Sequence, residues 1–407
     1  MGIFLLIVGL VLFIGLVVVH ELGHFWAARR GGVDVEEFGI FFPPLLFRHR
    51  TKSGYDFTIN LLPLGGFVKL RGEHDSDTGK GSYGAAGTRI KIKIMLAGVA
   101  MNLLAALVIF TALALLGMPR LIDNQFTVKS DTHVVKRAVL VGGIESGSPA
   151  SQVGLQVRDQ ITAIGGSVGA DPCHGGDPCA IINTPERTIS SSQDLVKATS
   201  DYAKYHGSAI KLSYIRDGKA HTTYVNLRSD KVVNASHKTN HPKGHLGVAP
   251  AEYVVQRSTW SAPVVAVGLG AQLTALTYQG LWHALQGIGG IVAGAFTGNH
   301  VAREHAQTSA SSQVSGPVGI YVILKDGSLL GYQFMLLIIG VISLTLAIMN
   351  VLPIPALDGG RLFVMLISRL FRKSISPGAE EAIYGTGFVV LLLLIIVITV
   401  VDVRRFF

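Results

Sequence analysis

Charge is scarce in this chain of 407 residues: Asp, Glu, Lys and Arg together make up 15%, against the roughly 25% usual in soluble domains. With a mean hydropathy of +0.45, that shortage excludes an ordinary soluble protein and points to a membrane protein. Acidic residues are the scarcer sign, 26 against 35 Lys and Arg, for a formal net charge of +9. The basic residues are spread along the chain without aromatic interleaving, so they favour contact with anionic lipid of the bilayer and no nucleic acid. Between Ser258 and Ala302 there is no Asp, Glu, Lys or Arg at all. No basic stretch precedes the apolar run at the N-terminus, which argues against a secretory signal peptide. Cysteine is limited to two residues, Cys173 and Cys179, in one short stretch.

What the chain has instead is long apolar runs. The first extends from Ile3 to Val19 and continues to about Ala28; others cover Ile94–Leu116, Gly331–Met349 and Tyr384–Val401. Each is close to the length a bilayer demands. The expected fold is a polytopic α-helical membrane protein of about four transmembrane helices, with an inserted, mainly β domain. In residue ranges, the spans lie in 1–28, 94–116, 331–360 and 384–401. The uncharged region 258–302 is interrupted by Gly, Gln, Thr and His, and its Gly-Ile-Gly-Gly and Gly-Ala-Phe-Thr-Gly stretches weaken a spanning helix. One or two helices at the interface or against the bundle are expected there, with a fifth span as the alternative.

Basic residues orient the spans. Arg29, Arg30, Arg48, Arg50, Lys52, Lys69, Arg71, Arg89, Lys91 and Lys93 crowd the 29–93 loop, which reads as cytoplasmic. The loop with Arg361, Arg369, Arg372 and Lys373 falls on the same side, while Arg404 and Arg405 disagree. Long loops translocate despite their charge, so Met118 to Leu330 reads as extracytoplasmic. Within it, alternating apolar stretches at Ala138–Ile144, Gln160–Ile164, Ile210–Tyr214 and Thr223–Leu227 predict strands, and Ser192–Tyr202 a helix, in a compact domain over 127–229. The segment Gly147–Ile161 resembles the core of a bacterial PDZ domain, whose open strand edge implies receipt of a peptide end. In an oxidising compartment the pair Cys173 and Cys179 reads as a small-loop disulfide, with a metal pair involving His174 as the competing reading.

The densest chemistry follows the first run. In His20-Glu21-Leu22-Gly23-His24 the two histidines share one helix face and can offer ring nitrogens to one Zn²⁺ per chain, with Glu21 alongside to take a proton from water. Two imidazoles and a glutamate at membrane depth are costly unless they pair, bind metal or line a wet cavity. Two ligands and a water leave one tetrahedral position to fill. The best candidate is Asp358 in Asn350-Val351-Leu352-Pro353-Ile354-Pro355-Ala356-Leu357-Asp358-Gly359-Gly360, where two prolines break the helix. Asn350 is placed to donate hydrogen bonds to substrate or to a developing oxyanion.

Together these residues resemble the site-2 protease family of intramembrane zinc metalloproteases, over nearly the whole chain. His20–His24 is similar to its first motif and Asn350–Asp358 to its N-x-x-P-x-x-x-x-D motif. Leu62–Lys69 resembles its membrane-associated β-hairpin and Ser315–Ile320 a motif before the third span. The resemblance implies zinc on His20, His24 and Asp358, Glu21 as the base, and location in a bacterial inner membrane. It also implies a single-pass membrane substrate, an anti-sigma factor already trimmed by another protease. The chain departs from the family in having room for one PDZ-like domain where the best-known Gram-negative relatives have two. Val99 also stands where many members have proline. A non-catalytic, membrane-tethered PDZ scaffold is the alternative, and it leaves the buried His and Glu uncompensated.

Overall fold

The computed structural model describes residues 2–73, 77–166, 180–181, 184–205, 208–237, 242–297, 317–372 and 375–406. They fall into two compact units, one of Met1–Met118, Asn124–Thr132 and Ser258–Phe407, the other of Pro119–Asp123 and His133–Arg257. Cys173 and Cys179, with their expected disulfide, and residues 315–316 lie outside the described residues.

The first unit is helical. Helix α1 (Gly2–Arg30) carries the first apolar run and the His20–His24 motif without a break and ends on Arg29 and Arg30. At about 1.5 Å per residue it is longer than a hydrocarbon core of about 30 Å, so its last turns reach the basic interface. It is followed by strands β1 (Val35–Arg50) and β2 (Asp56–Leu70) and by helix α2 (Thr88–Leu116). Then come α3 (Ala262–Thr297), α4 (Pro317–Leu329), α5 (Tyr332–Val351), α6 (Asp358–Leu370) and α7 (Pro377–Phe406). Phe38, Gly39 and Ile40 of β1 each pair with two segments of β2, one around Val68 and one around Phe57, while Leu45–Arg50 pairs only with Asn60–Asp56. Leu45, Leu46, Phe47, Leu61 and Leu62 are exposed and form an apolar tip.

Small residues bring the helices together, which suits a medium where apolar transfer gives helices no reason to associate. A Cβ on Gly23 of α1 would lie 2.5 Å from the Ala97 carbonyl oxygen of α2, and one on Gly340 of α5 would lie 2.6 Å from the Phe110 ring. Phe110, Leu113, Leu269, Leu337 and Leu344 form the core that α2, α3 and α5 share. On α7, Phe388, Val390, Leu393 and Val397 remain exposed, a face suited to lipid.

Five described helices, and not four, are long and apolar enough to cross a membrane, because Ala262–Ala284 at the start of α3 qualifies with the other four. The Gly-Ile-Gly-Gly and Gly-Ala-Phe-Thr-Gly stretches lie beyond Ala284, and two glycines within the span serve close packing. A Cβ on Gly268 would meet the Phe126 ring at 2.2 Å, and Gly270 faces Leu107. Gln272 completes the seam by accepting from Phe126 N–H at 2.6 Å and donating to Asn124 O at 2.8 Å. The start of α3 is fixed by Asp131, whose carboxylate accepts from Thr259 N–H at 2.8 Å, from Ser261 N–H at 3.0 Å, and from both hydroxyls. Burial alone would raise the Asp131 pKa, but these hydrogen bonds outweigh it and hold the carboxyl below the usual carboxylate range.

The second unit is a mainly antiparallel sheet of β3 (His133–Ile144), β4 (Gln160–Gly166), β5 (Thr184–Thr188), β6 (Ser208–Arg216), β7 (Lys219–Val225) and β8 (Val248–Arg257). The lateral order is β8, β3, β4, β6, β7, with β5 also paired to β4. The predicted strands fall within or overlap β3, β4, β6 and β7. Helix Ser192–Ala203 starts at a capping box made by Ser191 and Asp194 and contributes Leu195, Ala198 and Tyr202 to the core. The unit extends past the expected end at Ser229, because Val248–Arg257 pairs with β3 along nearly its whole length and closes that side.

Overpacking the α1–α2 contact should be costly. Gly23→Ala is expected to lower stability by about 1–3 kcal/mol, and Gly15→Ala, with nothing within 4 Å of its Cβ, to leave it nearly unchanged; thermal unfolding in detergent compares them. For Asp131 the folded pKa is depressed, so its stabilisation is full above the ordinary carboxylate pKa and is lost as pH falls through the lower folded value. The melting-temperature gap between wild type and Asp131→Asn should therefore be widest near neutrality and shrink toward strongly acid pH.

Candidate metal centre

Helical spacing aligns His20 and His24 on α1, and α2 supplies the surface against which they lie. Ile94, Gly98 and Asn102 recur every four residues and so form one stripe of α2. At its centre Gly98 leaves room for both rings, since a Cβ there would lie 2.4 Å from His24 Nε2 and 2.6 Å from His20 Cε1. At its two ends, His24 Nδ1 lies 2.8 Å from the Ile94 carbonyl oxygen, and His20 Nδ1 lies 3.2 Å from Asn102 Nδ2. The Nδ1 atoms are thus held at the two ends of the stripe, and both Nε2 atoms lie over its centre at Gly98. The two Nε2 atoms are 3.1 Å apart.

The third group arrives from the broken segment after α5. Leu352 precedes Pro353, which forbids a continued helix, and caps α5 with extended backbone, φ −63° and ψ 146°. The chain then doubles back into α6, whose first residue is Asp358. The return is tight. A Cβ on Gly359 would lie 2.2 Å from the Val351 carbonyl oxygen, and one on Gly360 would lie 2.0 Å from that of Ile354. The Asp-Gly-Gly sequence is thus a packing requirement of this loop as well as the bearer of a carboxylate.

Asp358 Oδ2 lies 3.1 Å from His20 Nε2 and 3.1 Å from His24 Nε2. Two imidazole nitrogens and one carboxylate oxygen form a donor set that suits zinc. Their spacing fits as well: donor atoms 3.1 Å apart could share one ion at bonds of about 2.0–2.1 Å. Among the described residues, this is the group of three or more His, Cys, Asp or Glu side chains able to hold a metal ion.

The triad opens on a cleft of about 760 Å³. Glu21, Gly66, Phe67, Asp358, Arg361 and Tyr384 are among the residues that line it. Gly66 of β2 faces Glu21 closely, its Cβ position 3.2 Å from Glu21 Cγ. Arg361 stands over the Tyr384 ring at 5.3 Å and 4.0 Å from a Glu73 carboxylate oxygen, giving the mouth a charged rim. The cleft can hold a chain segment, a water and a base beside the donors. Of the residues singled out in the sequence, His20, Glu21, His24 and Asp358 share this cleft. Asn350 does not line it; it lies half-buried in the last turn of α5. Gly98 and Asn102 were not assigned to the site. The available signal was Asn102 itself, a carboxamide inside an otherwise apolar run.

A sequence model of peptidase family M50 matches residues 8–394. The chain is 27% identical over 398 residues to a Clostridium perfringens protein that carries a zinc-metalloprotease name, covering 98% of each. It is 24% identical over 473 aligned positions to the zinc metalloprotease RasP of Shouchella clausii, covering 96% of this chain and 97% of that protein.

Elemental analysis of the purified protein is expected to find one zinc per chain. His20→Ala, His24→Ala and Asp358→Ala should lose it, while Glu21→Gln retains it, since a residue that acts on water and not on metal is dispensable for binding. A metal-free wild type with an intact fold would remove the basis for this assignment.

Proposed function

The chain belongs to peptidase family M50, the site-2 protease family of zinc metalloproteases, and from that premise we propose that it cleaves peptide bonds within the membrane-spanning segments of single-pass proteins. The observation that carries this reading is the meeting at 3.1 Å of His20 and His24, on a helix of membrane-crossing length, with Asp358, which starts the short helix α6 just after another such helix. His20, His24 and Asp358 hold the zinc. When bound, it supplies Lewis-acid polarisation of water and of a substrate carbonyl. Glu21 takes a proton from the attacking water and passes it to the amine nitrogen that leaves. Asn350, in the last turn of α5, is the proposed donor to the substrate backbone or to the developing oxyanion.

The substrate must unwind before its carbonyls can enter the cleft, because a helix keeps its peptide groups bonded to one another. Helix-breaking residues near the cut site therefore favour cleavage. The basic residues flanking α1 and α2 support a cytoplasmic position for the hairpin side and an extracytoplasmic position for the β unit, in a bacterial inner membrane. The substrate class favoured by the family resemblance is a trimmed anti-sigma factor.

The β unit, PDZ-like in its Gly147–Ile161 segment, acts in this reading as a filter against substrates with a bulky outer part. Capture of a peptide end by strand addition is less favoured, because the free edge of β8 is already partly taken. Arg120 N–H donates to Val254 O at 2.8 Å, and the Glu252 carboxylate accepts from Ser192 N–H at 2.9 Å, with Arg120 at 3.6 Å.

Co-expression with single-pass anti-sigma factors tests the proposal. Wild type is expected to cleave the trimmed form and Glu21→Gln to leave it intact, as read by immunoblot. Deleting 133–257 should keep zinc and extend cleavage to the untrimmed form. Slower cleavage of the trimmed form by the deletion variant, with nothing gained on the untrimmed one, would instead establish recruitment.

A further inference from the structure

Asn102 is buried at 1% exposure in the middle of α2, and its side-chain Oδ1 is an orphan, with no hydrogen-bond partner among the described residues. Its Nδ2 meanwhile points at His20 Nδ1 from 3.2 Å. These two facts conflict with the proposed role of His20. A histidine that gives its Nε2 lone pair to a metal carries its proton on Nδ1, and that N–H needs an acceptor. An NH₂ group opposite it would set donor against donor. A half-turn of the carboxamide exchanges Oδ1 and Nδ2 within nearly the same volume. It then gives the Nδ1 proton its acceptor and the orphan oxygen its donor in a single hydrogen bond.

We propose that Asn102 is a positioning residue of the metal centre, its Oδ1 accepting from His20 Nδ1–H and thereby holding the imidazole in the tautomer and orientation that bind zinc. The inference rests on the reading of His20 as a zinc ligand. It has a counterpart in the same site: His24 Nδ1 faces the Ile94 carbonyl oxygen at 2.8 Å, so α2 supplies an acceptor oxygen to each histidine, one from backbone and one from a side chain. Asn102 is also tied to the helix that leads to the third ligand. Ser343 of α5, fully buried, donates its hydroxyl to the Asn102 backbone oxygen at 2.8 Å. The residue that orients His20 is thus anchored to the helix that leads to Asp358.

The test is zinc affinity of the full-length protein in detergent, measured by competition with a chromophoric chelator. It compares wild type, Asn102→Leu, Asn102→Asp and His20→Ala, with thermal unfolding recorded for each. Asn102→Leu removes the acceptor at similar volume and is expected to weaken zinc binding about 10–100-fold. Asn102→Asp keeps an acceptor oxygen but has no N–H, and is expected to bind zinc at least as tightly as wild type. If Asn102→Asp loses affinity, the carboxamide works as a donor and the proposal is overturned, whether or not the leucine variant folds. Wild-type affinity in a folded Asn102→Leu protein would overturn it too. If His20→Ala binds zinc as wild type does, the ligand assignment itself fails, and the inference falls with it.

Discussion

Gly23 and Gly98 sit where α1 and α2 cross, and the absence of a side chain at both places sets the distance on which the rest of the site depends. The Gly23 Cβ position is 2.5 Å from a backbone oxygen of α2, and the Gly98 Cβ position lies among the two histidine rings. With any larger residue the helices would stand further apart. The Nδ1 atoms of His20 and His24 would then lose Asn102 and the Ile94 carbonyl, and the rings would be free to rotate. In a bilayer, where lipid chains compete on equal terms for apolar contact, such close small-residue packing is the strongest means of fixing one helix against another.

The same contact explains how polar groups persist at this depth. Two imidazoles and a carboxylate satisfy one another at 3.1 Å, Asn102 and Ile94 serve the outward nitrogens, and a cleft admits water on the remaining side. The carboxylate can arrive only because the chain stops being helical at Leu352. Two prolines end α5, and Gly359 and Gly360 let α6 start against the backbone it has just left. Unwound backbone at this level is tolerated where it packs on protein or lines a cavity, and here it does both.

The convergence at Asp358 also constrains the path of the chain. Because α1 and α5 end at one site, they run in the same direction, with α2 opposed to both. The chain that leaves α2 must therefore enter α5 from the face at which α2 ends. Ser258 N–H donates to Ala114 O at the end of α2, so α3 starts from that face. Any crossing made by α3 requires a return before Tyr332. Length and hydropathy make α3 a span candidate without bearing on this requirement.

Much of this architecture was legible in one dimension. The apolar runs, the i and i+4 histidines, the proline break before Asp358 and the alternation in the β unit are local patterns, and local patterns follow from the periods of helix and strand. The misjudged parts were non-local. The span at Ala262–Ala284 was read together with the glycine-rich stretches that follow it, while the packing of Gly268 on Phe126 and Gly270 on Leu107 joins residues distant in sequence. The β unit extends beyond Ser229 because β8 is defined by its pairing with β3, more than a hundred residues earlier. Asn102 carried a signal, a lone carboxamide in an apolar helix, but its meaning lay in the angle at which α2 crosses α1. By itself the sequence determined which residues have metal-binding and proton-transfer chemistry and which segments are apolar enough to enter a membrane. Only the tertiary structure decided that His20, His24 and Asp358 meet and which groups of α2 orient the rings, because such contacts depend on helix separation and crossing geometry, which no local period encodes.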